Sequence, residues 1–162
     1  EILEKRIKDI NPDSSIHKLK TKLKRSNIEQ TFYDYEYILD CSDNFKTRFL
    51  INEFCYKMKK ILVTASLQNF DLQAAILKSW EGTNPCYECF FPSKNKYSQD
   101  SCDQMGIVAT VAGIGGALQG QLLINNVLKK NNDFSQIILL SCGEIRMRKI
   151  VFNKNQHCKI CK

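Results

Sequence analysis

A chain of 162 residues, 43% of them hydrophobic, has the size of one ordinary domain and enough apolar material to exclude global disorder. Its formal net charge of +7 permits an acidic protein, a nucleic acid or an anionic surface as partner, but selects none of them. Abundant Lys and Asn also follow from an A+T-rich coding sequence, so the charge alone carries no function.

The chain opens on Glu1 with no basic-then-apolar leader. Isoleucine and leucine at positions 2, 3, 7 and 10 recur at near-helical spacing, so the start reads as the middle of a helix and the sequence as part of something longer. Asn11-Pro12 stops that helix. Residues 16–23 alternate imperfectly and predict an edge strand with outward lysines. Residues 35–41 predict a buried strand, and Ser42-Asp43-Asn44 then offers cap residues to a helix running to about Lys59. The inner side of that helix is Phe45, Phe49, Ile51, Phe54, Cys55 and Met58. Short strands follow at 61–66 and 70–78, then a loop over 80–104, long enough to need a function or a staple.

Gly106 to Lys130 predicts a long apolar helix. Gln119, Gln121, Asn125 and Asn126 in its second half argue against a membrane span and for a buried helix of a water-surrounded domain, which fits a cytoplasmic protein. Gly113, Gly115, Gly116 and Gly120 predict close backbone contact with another helix or a second subunit. They are no dinucleotide fingerprint, since position 118 is leucine, and the chain has no phosphate-cradling glycine loop. Residues 137–141 and 146–152 predict a closing pair of strands. The order of strands and helices predicts an α/β layered sheet.

Three constellations carry chemistry. Cys86-Tyr87-Glu88-Cys89 and Cys158-Lys159-Ile160-Cys161 have the spacing of two metal knuckles, which together complete a closed four-thiolate zinc site. Such a site would pin the chain end to the long loop; two redox pairs or unrelated cysteines are the alternatives. Asp40 and Asp43 lie at the C-terminal end of a buried strand, where α/β sheets gather ligands and a carboxylate holds magnesium. The plainer readings are a turn acid at Asp40 and a helix cap at Asp43. Cys102, just before the long helix, is either structural or a thiol made nucleophilic by the helix terminus, with Asp100 and Asp103 opposing that activation.

The motifs in order are Leu39-Asp40-Cys41-Ser42-Asp43-Asn44 with Arg48 one turn on, Pro85-Cys86-Tyr87-Glu88-Cys89-Phe90-Phe91-Pro92, Cys102 with Gly106-Ile107-Val108 running into Gly113 and Leu118-Gln119, and the closing Cys158 and Cys161. Together they resemble the ThiF/MoeB/HesA family of ubiquitin-activating-enzyme-like adenylyltransferases over the whole chain. The resemblance implies a Rossmann-like sheet with helices on both faces and zinc-stapled C-terminal strands. It implies a chain truncated before residue 1, with the glycine-rich ATP loop missing. Residues 1–78 would be the remainder of the nucleotide-binding half, and residues 79–162 the zinc-binding and carrier-protein-binding half.

The activity implied is ATP-dependent adenylation of the C-terminal glycine of a small ubiquitin-like sulfur carrier of the ThiS or MoaD kind, by a homodimer. Asp43 matches the magnesium/ATP aspartate, with Arg48 beside it. Cys86, Cys89, Cys158 and Cys161 match the zinc ligands, and Cys102 the loop cysteine that forms a covalent link in some members. A non-catalytic zinc-stapled interaction module on the same fold is the competing expectation. A basic nucleic-acid binder explains the charge and the cysteines, but not the strand-end acids.

Overall fold

A computed structural model describes residues 1–92, 106–130 and 133–162. Five strands form one sheet in the order β1 (Tyr37–Asp40), β2 (Ile61–Gln68), β3 (Asp71–Leu77), β4 (Gln136–Ser141) and β5 (Arg146–Val151). Only β1 and β2 are parallel; the other three junctions are antiparallel. The sheet is therefore mixed, with one crossover unit followed by a meander. The crossover is α3 (Phe45–Lys57), and its return places Asp40 beside Thr64 at the C-terminal ends of the parallel pair. The β2–β3 turn is tight, and Asn69 takes its left-handed position at φ 55°, which asparagine tolerates better than most residues.

Side chains alternate across the sheet as the period of a strand requires. Leu62, Ala75 and Leu77 pack with Ile51, Phe54 and Cys55 of α3. Ile61, Val63 and Ile76 face the other way, against Phe134 and against Leu122 and Leu123 of α5 (Ala109–Val127). Helices thus cover both faces. Both long helices stop on a lysine in the left-handed region, Lys59 and Lys129. The next N–H reaches back five residues, from Lys60 to the Cys55 carbonyl (2.9 Å) and from Lys130 to that of Asn125 (2.8 Å), the pattern of a Schellman stop.

Four expectations change. Residues 16–23 form no strand, because an extended stretch needs a neighbour for its backbone groups and none of the described strands lies alongside. The 80–104 stretch contains a short helix, α4 (Tyr87–Phe90), and another, α2 (Ile28–Phe32), precedes β1, where five residues are too few to show a period. α5 is buried on one face only: Val111, Gly115, Gln119 and Asn126 point inward, while Ile114, Ile124 and Val127 stand exposed. Of its glycines only Gly115 is in close contact, and against the sheet: a Cβ there would lie 3.0 Å from Leu67 and 3.2 Å from Leu72. No helix among the described residues is long and apolar enough to cross a membrane. The first helix, α1 (Ile2–Ile10), buries no residue and is tied to the following stretch by a Lys18–Glu4 ion pair of 2.6 Å.

One surface network joins the N-terminal third to α3. Arg25 gives two hydrogen bonds to Glu53 (2.9 and 2.6 Å), and Lys57 adds a third at 2.7 Å. These bonds, Arg25 first, hold the Glu53 carboxyl at about 2 against an ordinary value of 4.5. A lowered folded value means stability that is complete above pH ~4.5 and is lost as the pH falls toward 2. Arg25 is largely exposed, so screening limits the contribution to about 1 kcal/mol. Glu53→Gln should lower urea stability by about that amount at pH 7, with the difference from the parent vanishing near pH 2.

Candidate functional site

The cleft sits where β1 ends. Asp40 is buried, and its carboxylate takes four donors from its surroundings. Oδ1 accepts from the Ser42 backbone N–H (2.9 Å) and the Ser42 hydroxyl (2.6 Å), closing an Asx turn. Oδ2 accepts from Arg48 Nη1 (3.4 Å) and the Thr64 hydroxyl (3.4 Å). Arg48, also buried, on α3, donates further to the Ala65 carbonyl (2.9 Å) and to the Ser42 carbonyl. Gln119 of α5 reaches into the same corner. Its amide N–H groups bond the carbonyls of Asp40 (3.0 Å) and Val63 (3.0 Å), and its oxygen accepts from the Cys41 thiol (3.4 Å). Residues of β1, β2, α3 and α5 thereby meet at one turn.

That turn assigns the two acids different tasks. Asp40 is the turn acid. The cap of α3 is Asn44, whose Oδ1 accepts from the Thr47 N–H at 2.9 Å. Asp43 is therefore released from capping. Its carboxylate is exposed at the mouth of a cleft of about 310 Å³, lined also by Cys41, Arg48, Gly115, Gly116 and Gln119. A hydrogen bond from the Asn44 amide (3.0 Å), then its own backbone N–H and the Arg48 charge, hold it below the usual carboxylate range, so it is anionic at neutral pH. An exposed carboxylate of this kind suits a magnesium ion that keeps most of its ligands as water and phosphate oxygen. Arg48 lines the same cleft, but most of its donors are spent on its own chain. Gln119 figured in the sequence only as an amide of the apolar helix and as part of a motif, not as a residue of this corner, although an amide on the inner face of an apolar helix was the signal. Cys102 lies outside the described residues.

The four knuckle cysteines do come together. Their sulfurs all lie within 4.8 Å of one another. Neighbouring pairs are 3.4 Å (Cys89–Cys161), 3.6 Å (Cys86–Cys158) and 3.9 Å (Cys86–Cys89) apart. A regular tetrahedron of thiolates about 2.3 Å from a central zinc has edges of about 3.8 Å, so the residues present fit that ion. The second knuckle turns its own backbone toward its sulfur: the N–H groups of Ile160 and Cys161 point at Cys158 Sγ (3.4 and 3.5 Å). Hydrogen bonds from Cys161 and then Cys86 hold the Cys89 thiol well below its ordinary value, while Cys86 is pushed up by its bonds to Cys161 and Cys89. Four crowded sulfurs share charge unequally until a cation neutralises them.

Comparison with known proteins identifies relatives of the whole chain. The ThiF family model matches residues 1–160. A probable molybdopterin-synthase adenylyltransferase of Pyropia yezoensis is 33% identical over 86% of this chain and 37% of its own length. The sulfur carrier protein adenylyltransferase of Thermus thermophilus is 26% identical over 99% of this chain and 61% of its own. The sulfur carrier protein ThiS adenylyltransferase of Escherichia coli is 26% identical over 99% and 63%. The chain therefore spans less than two thirds of the length of each of these relatives. A crystal structure of Escherichia coli MccB shares the fold, with a TM-score of 0.81 at 15% identity over 99% of this chain and 49% of that one.

The two acids separate experimentally. Asp40→Ala leaves a buried arginine without its partner and should cost about 3–5 kcal/mol of unfolding free energy. Asp43→Asn should change it by less than about 0.5 kcal/mol. Denaturant titration of both variants checks the assignment. For the sulfur cluster, we expect one zinc per chain by elemental analysis. Cys161→Ser should abolish it, and acidification should release it as the thiolates protonate.

Proposed function

The chain belongs to the ThiF family, and from that premise we propose that the whole protein uses ATP to adenylate the C-terminal glycine of a small ubiquitin-like sulfur-carrier protein, for sulfur transfer of the thiamine or molybdopterin type. The observation that carries this reading is the carboxylate of Asp43. It is anionic, exposed and unencumbered by capping, at the C-terminal end of a parallel strand pair, where α/β sheets bind nucleotides. Family membership and the names of the relatives supply the reaction class.

A carboxylate is a poor electrophile, and adenylation gives it a good leaving group. The carrier's terminal carboxylate oxygen bonds to the α-phosphorus as the bond from that phosphorus to the pyrophosphate oxygen breaks. Magnesium, when bound, neutralises charge on the phosphates. Asp43 is the residue that would hold it. Arg48 adds a positive charge to the wall of the cleft and keeps Ser42 and Asp40 in place behind Asp43.

Residues 1–78 belong in this reading to the nucleotide-binding half, and 79–162 to the half that binds zinc and the carrier, a ThiS- or MoaD-like protein. Ser66, Gln68 and Gln73 line both the Asp43 cleft and a second groove, of about 430 Å³, which runs to Arg146 and Arg148 on β5. That continuity offers an extended tail a route to the cleft. The exposed apolar side of α5 suits pairing of two copies, as in a homodimer. Zinc in the cysteine cluster is structural, since four thiolates leave no open position. Cys102 is the candidate for a covalent link to the activated carrier. In this reading the protein works in the cytoplasm.

Pyrophosphate exchange by the intact protein tests the proposal. Exchange should require a carrier ending in Gly-Gly, and Asp43→Asn should reduce it roughly a hundredfold or more. Absence of exchange with every such carrier, alongside tight carrier binding, would favour the non-catalytic module instead. Residues 1–162 alone contain no phosphate-cradling glycine loop, so isolated they should bind ATP more weakly than micromolar by calorimetry.

A further inference from the structure

Asn52 is one of the least exposed residues of the protein, at 1%, and it lies in the third turn of α3 among Ile51, Phe54 and Cys55. Burying an amide in such surroundings costs free energy unless it is used. Its Oδ1 accepts the backbone N–H of Tyr87 at 2.9 Å. Tyr87 directly follows Cys86 and opens α4, whose flanking Cys86 has no side-chain cap bond. Asn52 thus does from another helix what a cap residue does locally. The two knuckles are built differently, and the Cys89 N–H bonds the Cys86 carbonyl at 2.9 Å. In the second, the N–H groups of Ile160 and Cys161 turn toward the Cys158 sulfur. In the first, the N–H that follows Cys86 is spent on Asn52. The Tyr87 ring, packed on Phe49 of α3 with centroids 5.6 Å apart, seats the same residue on the same helix.

We propose that Asn52 is a positioning residue for the four-cysteine cluster: its carbonyl fixes the backbone after Cys86, and so sets the aim of the Cys86 sulfur at a bound metal. The ligand is a tetrahedral thiophilic dication, zinc in the cell and cobalt(II) as its spectroscopic probe. The inference stands on the sulfur geometry and is independent of the adenylation reading. It also ties the cluster to the helix whose other end carries the Asn44 cap beside Asp43.

The test compares Asn52→Leu, similar in volume but lacking an acceptor, with Asn52→Asp, which keeps a carbonyl oxygen in the same place. Each purified protein, in the full chain, is titrated with cobalt(II) and then with zinc, following the thiolate-to-cobalt absorption and competition with a chelator. Asn52→Leu should lose at least tenfold in metal affinity and show altered cobalt bands, as outer partners of metal ligands do when removed. Asn52→Asp should return to within about threefold of the parent, within the size of effect expected of a retained outer contact. Unchanged affinity and spectrum in Asn52→Leu would overturn the proposal, and so would an equal loss in both variants. If Asn52→Leu is recovered only as aggregate, Asn52→Ser, whose hydroxyl is too short to reach Tyr87, takes its place under the same thresholds.

Discussion

Much of the site depends on one buried carboxylate. Asp40 is 2% exposed, and a charge there is tolerable only because its oxygens are met by Ser42, Thr64 and Arg48. Each donor comes with an obligation. Ser42 bends the chain sharply after β1, Arg48 requires α3 to start within reach, and Thr64 requires β2 to lie in parallel register. Gln119 adds α5 by taking two carbonyls of the same corner. A turn fixed on so many sides leaves the next residues little choice. Asn44 becomes the cap, and Asp43 is left facing the cleft with its charge available.

The sulfur cluster is the second constraint, and it acts over a longer range. Cys86 and Cys158 stand 72 positions apart in sequence, and their sulfurs are 3.6 Å apart in space. A metal held between them would remove freedom that the unfolded chain otherwise keeps across so long a loop. It would also fasten residues 152–162, which form no strand, to the turn that leads into α4. Because α3 touches both the turn at Asp40 and the backbone at Tyr87, the two constraints meet on one helix.

Much of this was legible in the residues. The strands at 61–68, 71–77, 136–141 and 146–151 announce themselves by branched residues and bracketing turns, and α3 by its apolar face. The cysteine spacing gave the cluster, and the acids after Leu39 gave the cleft. What the pattern could not carry was pairing. Residues 16–23 have the alternation of an edge strand but no neighbouring strand among the described residues, and the direction of β3 against β2 is a property of the turn at Asn69. The roles of Asn52 and Gln119 could not be read in advance, because their partners are backbone groups far away in sequence. Glycines in α5 suggested a crowded helix, yet only Gly115 meets anything closely, and what it meets is the sheet.

In the reading proposed here, the turn frees Asp43 to hold a metal-bound nucleotide. The most direct measurement is a crystal structure of the intact protein with magnesium and a non-hydrolysable ATP analogue. We expect an Asp43 oxygen in the magnesium shell, at about 2.1 Å or through one water, with Asp40 still bonded to Ser42 and Arg48. A nucleotide bound elsewhere, or bound in this cleft with Asp43 turned away to solvent and its metal held by other groups, would contradict it.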